Sequence, residues 1–493
     1  MAEIEMKNWL SQRAYLTPGR TALTFENKKW TYRELNESVK SMAQKLLKSG
    51  LERGQHVGFL MENHPDTIIL LHAFHLIHVV AVPLNKRLSV SELDYQLDHA
   101  EVDWLIVDEI HQKKAQGLRF EKIVTMMEIK AVNETNVKLD EVIHLDDLHS
   151  IIFTSGTTGY PKGVMLTYGN HWWSATGSAF NLGIRDDDCW LCAVPLFHVS
   201  GLSIMMRSVI YGIPMVLHRN FEPVAFNESI YKDGVTIASV VSLMLSKALG
   251  AENFHPYPSV FRCMLLGGGP APLPLLKRCE TNAIPIFQTY GLSESASQIV
   301  TLAPEDSIRK LGSAGKPLFP AQVKIIPEDE NASIREGEIF VKGPNVTQGY
   351  FKKPSINEEK IKDGWLATGD VGYFDDEGFL FVLDRRKDMF VSGGENVYPA
   401  EIEACLLGHN AVSEAGVIGI DDVVWGKVPA AFVVLEDSDV SKEVLIQYCK
   451  ERLAGYKVPK VVQFIEVLPR NASNKILRKD LYSLLEVGDE NAD

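Results

Sequence analysis

The residues richest in chemistry lie between Ile151 and Val164, in the run IIFTSGTTGYPKGV. Ile151, Ile152 and Phe153 read as the end of a buried strand. Thr154, Ser155, Gly156, Thr157, Thr158 and Gly159 then suit neither helix nor strand. The glycines let the backbone turn and expose N–H groups, the hydroxyls add donors, and Lys162 adds a positive charge. Many donors without a carboxylate make a loop that wraps phosphate oxygens. The spacing is not that of a Walker A loop, because Lys162 follows Pro161 and precedes Gly163. An ordinary Ser/Thr/Gly surface loop is the plain alternative. Three further stretches carry chemistry. His198 follows an apolar run from Cys189 to Leu196, at the carboxyl end of a strand, where α/β sheets bind ligands. Gly267, Gly268 and Gly269 follow another apolar strand and allow a flat ligand to lie on backbone, or make a tight turn. In Ile286–Glu294, Tyr290 offers a stacking face, Ser293 a hydroxyl and Glu294 a carboxylate. A carboxylate beside a triphosphate implies a divalent cation between them, so Glu294 is the metal-binding candidate, for Mg2+.

The dense hydroxyl run followed by P-K-G resembles the phosphate loop of the adenylate-forming (acyl-CoA synthetase, luciferase, peptide-synthetase adenylation) superfamily. Other motifs of that family follow in order. Tyr290-Gly291-Leu292-Ser293-Glu294 fits its Y-G-[TSML]-[TS]-E, and Thr368-Gly369-Asp370 its T-G-D, whose aspartate accepts hydrogen bonds from both ribose hydroxyls. The resemblance implies that Arg385 touches ribose and phosphate and that Lys387 is a hinge. It places Gly393 and Gly394 along a pantetheine tunnel and His198 at the gate of the acyl site. Pro469–Arg478 resembles P-[RK]-T-x-x-G-K-[IL]-x-[RK], whose lysine, here Lys475, catalyses adenylation. Asn471 stands where the family has Thr, and Asn474 where it has Gly. Asparagine tolerates a left-handed backbone better than other non-glycine residues.

The implied activity is ATP-dependent acid:CoA ligation, with ATP, Mg2+ and coenzyme A beside a small carboxylic acid. An acyl-adenylate forms first and a thioester second. PLFHVSGLSIMMRS and YGLSESASQIVTL resemble ligases of an aromatic keto acid with two carboxylates. One carboxylate is activated and the other needs a polar or cationic partner, for which Ser200, Arg207 and Ser293 are candidates. Another aryl- or fatty-acyl-CoA ligase would keep every motif, as would a free-standing adenylation enzyme loading a carrier protein. A nucleotide sensor without catalysis would lack Glu294 or Lys475.

The elements that position these residues follow a βαβ rhythm. Thr31 and Glu34 make a capping box for a helix whose apolar residues Leu35, Val39, Met42 and Leu46 run to Gly50. His56–Leu60 reads as a strand, 68–78 as a helix leading to a strand at Val82-Pro83, 89–99 as a helix and 104–108 as a strand. Residues 1–150 read as scaffold. Asp384-Arg385-Arg386-Lys387-Asp388 follows the strand 379–383 and reads as an exposed linker. The expected fold is α/β: a large multi-layer adenylation domain over 1–384 with mostly parallel sheets, then a small mobile α+β domain over 385–493. The hinge falls near 385–388. Helices starting near Pro399 and Ser441, and strands at 415–420 and 430–435, build the second domain.

Composition narrows the classes. A chain of 493 residues is too long for one core, and 50 basic against 64 acidic residues give −14, against a general nucleic-acid or anionic-membrane binder. The longest apolar stretch, 68–84, contains His72, His75 and His78 and is too short and polar to span a bilayer. Those histidines, spaced by three, suit helix packing better than a metal site. Six cysteines without framework spacing suit a reducing cytoplasm, and the C-x-x-C of Cys189 and Cys192 reads as buried thiols rather than zinc ligands.

Overall fold

The computed structural model describes residues 4–154, 161–269, 271–327, 336–385, 388–392, 395–422, 425–436, 440–453, 455–471 and 475–485. Three large sheets organise them. The first orders its strands Lys162–Thr167, Leu148–Thr154, Val80–Pro83, His56–Leu60, Trp104–Val107 and Ile123–Thr125; all are parallel except Lys162–Thr167. The second, of fourteen strands, has a parallel half, from Ile286–Leu292 through Cys263–Gly267, Ile237–Val241, Trp190–Cys192 and Met215–Leu217 to Thr21–Phe25. Its other half is antiparallel and runs through Ser297–Leu302, Ser313–Pro317, Leu380–Arg385 and Trp365–Phe374. A third sheet of five strands is built from residues after 389, around the long antiparallel pair Val412–Asp422 and Gly426–Leu435. The helices Pro399–Leu407 and Lys442–Lys450 share its core.

Local signals account for the helices. Tyr32–Ser49 is entered through the Thr31–Glu34 capping box and stopped by Gly50 at φ 98°. Val90–His99 is entered through an equivalent Ser89–Glu92 box. Pro65–Ile77 buries every residue but Asp66, because its surroundings are apolar on all sides. Such a helix belongs to the interior of a large protein, and no helix among the described residues is long and apolar enough to cross a membrane. His72 and His75 lie on it, whereas His78 leaves the helix as its left-handed C-cap and meets Asp140 (Nε2–Oδ2 3.1 Å). Among the described residues no histidine, cysteine or carboxylate grouping suits a metal. All six cysteines are free. Cys189, Cys192, Cys263 and Cys279 are buried, which pushes each thiol up to about 12.

Two strand boundaries differ from the sequence reading. The apolar run 189–196 keeps ladder pairing only at Trp190–Cys192. Beyond it Asn63 replaces the neighbouring strand, donating to Val194 O (2.9 Å) and accepting from Leu196 N (2.9 Å). The strand expected at 379–383 runs Leu380–Arg385, two residues into the charged run, because Asp384 and Arg385 pair with Val371 and Asp370. Arg386 and Lys387 lie outside the described residues.

Candidate active site

Of the phosphate loop, Thr154 ends one strand and Lys162 begins its antiparallel neighbour, the two facing each other in register. Ser155, Gly156, Thr157 and Thr158 lie outside the described residues. The strand leaving the loop is sewn to a second segment. Met165 N donates to Gly349 O (3.0 Å), Phe351 N to Gly163 O (2.8 Å), and Thr347 Oγ1 to Met165 O (2.5 Å). The same segment fixes Glu294: Thr347 N donates to its carbonyl (2.7 Å) and Tyr350 Oη to its Oε1 (2.9 Å). Lys162 Nζ lies 5.4 Å from the Tyr350 ring centroid. Its pKa is held down by burial and by Lys360, while Glu294 pulls it up, so Lys162 and Glu294 share one electrostatic neighbourhood. Tyr350 and Thr347 carry no motif that sequence reading picked out.

The residues expected to meet the nucleoside begin at carboxyl ends of the parallel half-sheet. Cys263–Gly267 lies between Ile237–Val241 and Ile286–Leu292. Gly268 turns at φ 88°, where a side chain is strained, and a Cβ there would sit 3.1 Å from Val241 Cγ1, which would have to give way. Tyr290 Oη donates to Asp370 Oδ2 (2.6 Å), joining two of the expected residues across the antiparallel half. Asp370 N is turned by Thr368 Oγ1 (3.1 Å), and its backbone partner across the ladder is Arg385. Ser293 heads the short 3-10 turn Ser293–Ser295, its carbonyl accepting from Ala296 N (3.1 Å). Gly393 and Gly394 lie outside the described residues.

The third side begins at His198, the N-cap of the helix Val199–Tyr211. Its ring rests on Phe197 at a centroid distance of 4.5 Å. Burial, then the charges of Arg87 and Lys475, bring its pKa down to about 4, so the imidazole is neutral at pH 7. The charge of Lys475 thus bears on His198 from the far end of the chain. Arg87, within the stretch read as scaffold, is one of the two charges that lower His198. The lysine's own turn is closed by Asn471, whose Oδ1 accepts from Lys475 N (2.9 Å) while its N donates to Lys475 O (2.9 Å). Asn471 thus fills the position of the family's threonine with an equivalent acceptor; Asn474 lies outside the described residues. Ser200 lies in the first turn of the helix, where its carbonyl accepts from Ser203 Oγ (2.9 Å). Arg207, which sequence alone left open as surface cation or ligand, is 1% exposed. Its Nη2 donates to Ser174 Oγ (3.2 Å) and its guanidinium lies 5.6 Å from the Trp190 ring centroid.

The comparisons with known proteins bear on the family of the chain. Residues 10–351 match the family described as AMP-binding enzyme, and residues 401–475 its C-terminal domain. The chain belongs to the AMP-binding enzyme family. It is 52% identical over 485 residues to the 2-succinylbenzoate–CoA ligase of Geobacillus sp. (strain WCH70), covering 98% of each chain. Among solved structures it resembles o-succinylbenzoate CoA synthetase of Bacillus subtilis in complex with the acyl-adenylate intermediate OSB-AMP, with 46% identity, a TM-score of 0.92 and 99% of each chain covered. A double mutant of that enzyme bound with a product analogue, OSB-NCoA, gives 46% identity and covers 97% and 98%, but the TM-score is 0.76. Identity and coverage barely change between the two, so the lower score reflects a different arrangement of the parts. The arrangement of the parts in this chain resembles that of the acyl-adenylate complex more than that of the product-analogue complex.

Proposed function

We propose that this chain is an ATP-dependent 2-succinylbenzoate–CoA ligase of the AMP-forming type, a cytoplasmic enzyme acting in menaquinone biosynthesis. The observation that carries the substrate is Arg207: a buried guanidinium with no ion pair among the described residues, on the helix that starts at His198. Burying an unpaired cation costs several kcal/mol, which a substrate carboxylate offsets when it arrives.

In the first half-reaction an oxygen of the acid's succinyl carboxylate attacks the α-phosphorus of ATP, and the bond to pyrophosphate breaks. The loop from Thr154 to Lys162 binds the phosphates, with Ser155, Gly156, Thr157 and Thr158 as donors. Glu294 fits Mg2+ held by one carboxylate plus substrate phosphates, since the described residues hold no all-protein cage. The cation, when bound, neutralises charge on the departing pyrophosphate. Gly268 and Tyr290 take the adenine, Ser293 adds a hydroxyl, and Asp370 with Arg385 takes the ribose. Lys475 stabilises charge developing between carboxylate and α-phosphate, and His198, neutral, closes the acid's side without adding a competing cation. In the second half-reaction the thiol of CoA loses its proton and attacks the acyl carbon, and AMP leaves. A swing about Lys387 takes Lys475 away and brings the Gly393-Gly394 loop to the pantetheine arm. The adenylation domain would then be 1–384 and the moving domain 385–493.

The test is pyrophosphate release against a panel of acids with and without CoA. 2-Succinylbenzoate should exceed benzoate, cinnamate and octanoate by orders of magnitude, because a site built for a second carboxylate leaves its polar groups unpaired with any other acid. Equal use of octanoate would replace this reading with a general acyl-CoA ligase. Arg207→Ala should raise KM for the diacid and leave KM for ATP alone.

A further inference from the structure

One file of polar groups crosses the apolar interior. It comprises His72 and His75 on Pro65–Ile77, His149 on Leu148–Thr154, His171 on Tyr168–Leu182 and Arg207 on Val199–Tyr211, none more than 3% exposed. His75 Nε2 and His149 Nε2 share a hydrogen bond of 2.9 Å. The His171 ring meets His149 edge-on with centroids 4.5 Å apart. Ser174, one turn beyond His171 on the same helix, accepts from Arg207 and donates to Ala296 O (2.7 Å). Within the described protein neither ring nitrogen of His171 has a hydrogen-bond partner, and neither has Arg207 Nε.

Buried polar groups are nearly always satisfied, so a cluster left open points to something that fills it. A cation is excluded by the guanidinium itself, and the described residues form no metal-ligating group. An anion is the complement. Burial and the neighbouring Arg207 hold His171 down to about 3, so its imidazole is neutral and offers one N–H without adding a second buried charge. Arg207 alone presents a carboxylate with one side of charge and few of the four or so hydrogen bonds it accepts. Resting on the reading that the acid carries two carboxylates, we propose that His171 is a specificity residue whose imidazole N–H donates to the non-reacting carboxylate that Arg207 neutralises.

The experiment compares kcat/KM for 2-succinylbenzoate with that for its methyl ester at the aromatic, non-reacting carboxylate. The enzymes are wild type, His171→Leu, His171→Asn and Arg207→Lys. His171→Leu should lose about tenfold or more on the diacid, chiefly in KM, as expected for a lost hydrogen bond to a charge, and little on the ester. His171→Asn, which keeps an N–H donor, should recover most of the loss. Equal losses on both acids, or none on the diacid, overturn the proposal. If Arg207→Lys changes kcat/KM equally on both acids, or on neither, the two-carboxylate reading itself falls, which is a distinct outcome. A wild-type arm covers loss of folding in the leucine variant. In enzyme labelled with 15N at histidine, the diacid and not the ester should bring out one slowly exchanging ring N–H resonance. Its absence counts against His171.

Discussion

Two tyrosines each commit a phenol to a carboxylate of the site, Tyr290 to Asp370 and Tyr350 to Glu294. A neutral donor fixes a carboxylate without discharging it, which suits the cation proposed for Glu294 and the ribose hydroxyls proposed for Asp370. Tyr350→Phe should raise the Mg2+ concentration for half-maximal pyrophosphate release about fivefold, the equivalent of about 1 kcal/mol for one hydrogen bond. Thioester formation from supplied acyl-adenylate should be unchanged, and an unaltered Mg2+ dependence would leave Tyr350 a packing residue. Lys475→Ala should abolish adenylate formation and spare the same thioester step; equal losses in both would make the lysine structural. Asn471→Thr should keep the adenylation rate, whereas Asn471→Ala, which removes the acceptor for Lys475 N, should lower it several-fold. The roles proposed for Tyr290, Glu294, Asp370 and Lys475 rest on the dense motif in which each sits. Tyr350, Ser174 and His171 sit in no such motif, and a lone aromatic, hydroxyl or imidazole gives no local sign of what faces it tens of residues away.

At the scale of the element, the turn after Ile286–Leu292 binds backbone to backbone. Gly291 opposes Gln298 at a shift in the antiparallel register. A Cβ on Gly291 would lie 2.1 Å from Ser297 O, closer than any side chain tolerates, and Ala296 and Ser297 themselves have positive φ (51° and 117°). Gly291→Ala should therefore destabilise by roughly 3 kcal/mol or more, seen as a lower urea midpoint. It should also weaken ATP binding, because Tyr290 and Glu294 flank it. A midpoint within error of wild type would mean that the register slips to accept the methyl. Helices and parallel strands were legible through caps and apolar runs. The shortened strand Trp190–Cys192 was not, because Asn63, far away in sequence, takes over its pairing.

Across the whole molecule, the parallel halves were legible in the βαβ rhythm, but the fusion of one of them with an antiparallel half was not. That joint depends on pairings such as Val300 with Pro317, which leave no periodic trace. The buried histidines tie global stability to pH. His72 titrates at about 4 and His171 at about 3, against 6.5 ordinarily, with His75 and His149 also well below. Their folded values are depressed, so the unfolded chain takes up protons first as pH falls. Stability is complete above about 6.5 and declines towards 4, by up to about 1.4 kcal/mol per pH unit for each histidine. The urea midpoint should fall between pH 7 and pH 5, and His72→Phe should flatten that fall; a midpoint constant over the range would mean that the file is hydrated. The sulfur inventory has a separate consequence. Four thiols stand near 12, and Cys449 is buried and raised beyond that; only Cys405 is half-buried with a lowered pKa, through Cys449 and Arg452. A protein that hands a thiol its acyl group thereby keeps its own sulfur from exchanging with disulfides of that cofactor. A maleimide dye at limiting dose would accordingly land on Cys405, in the sheet-and-helix unit after residue 389, and leave the five other thiols unlabelled.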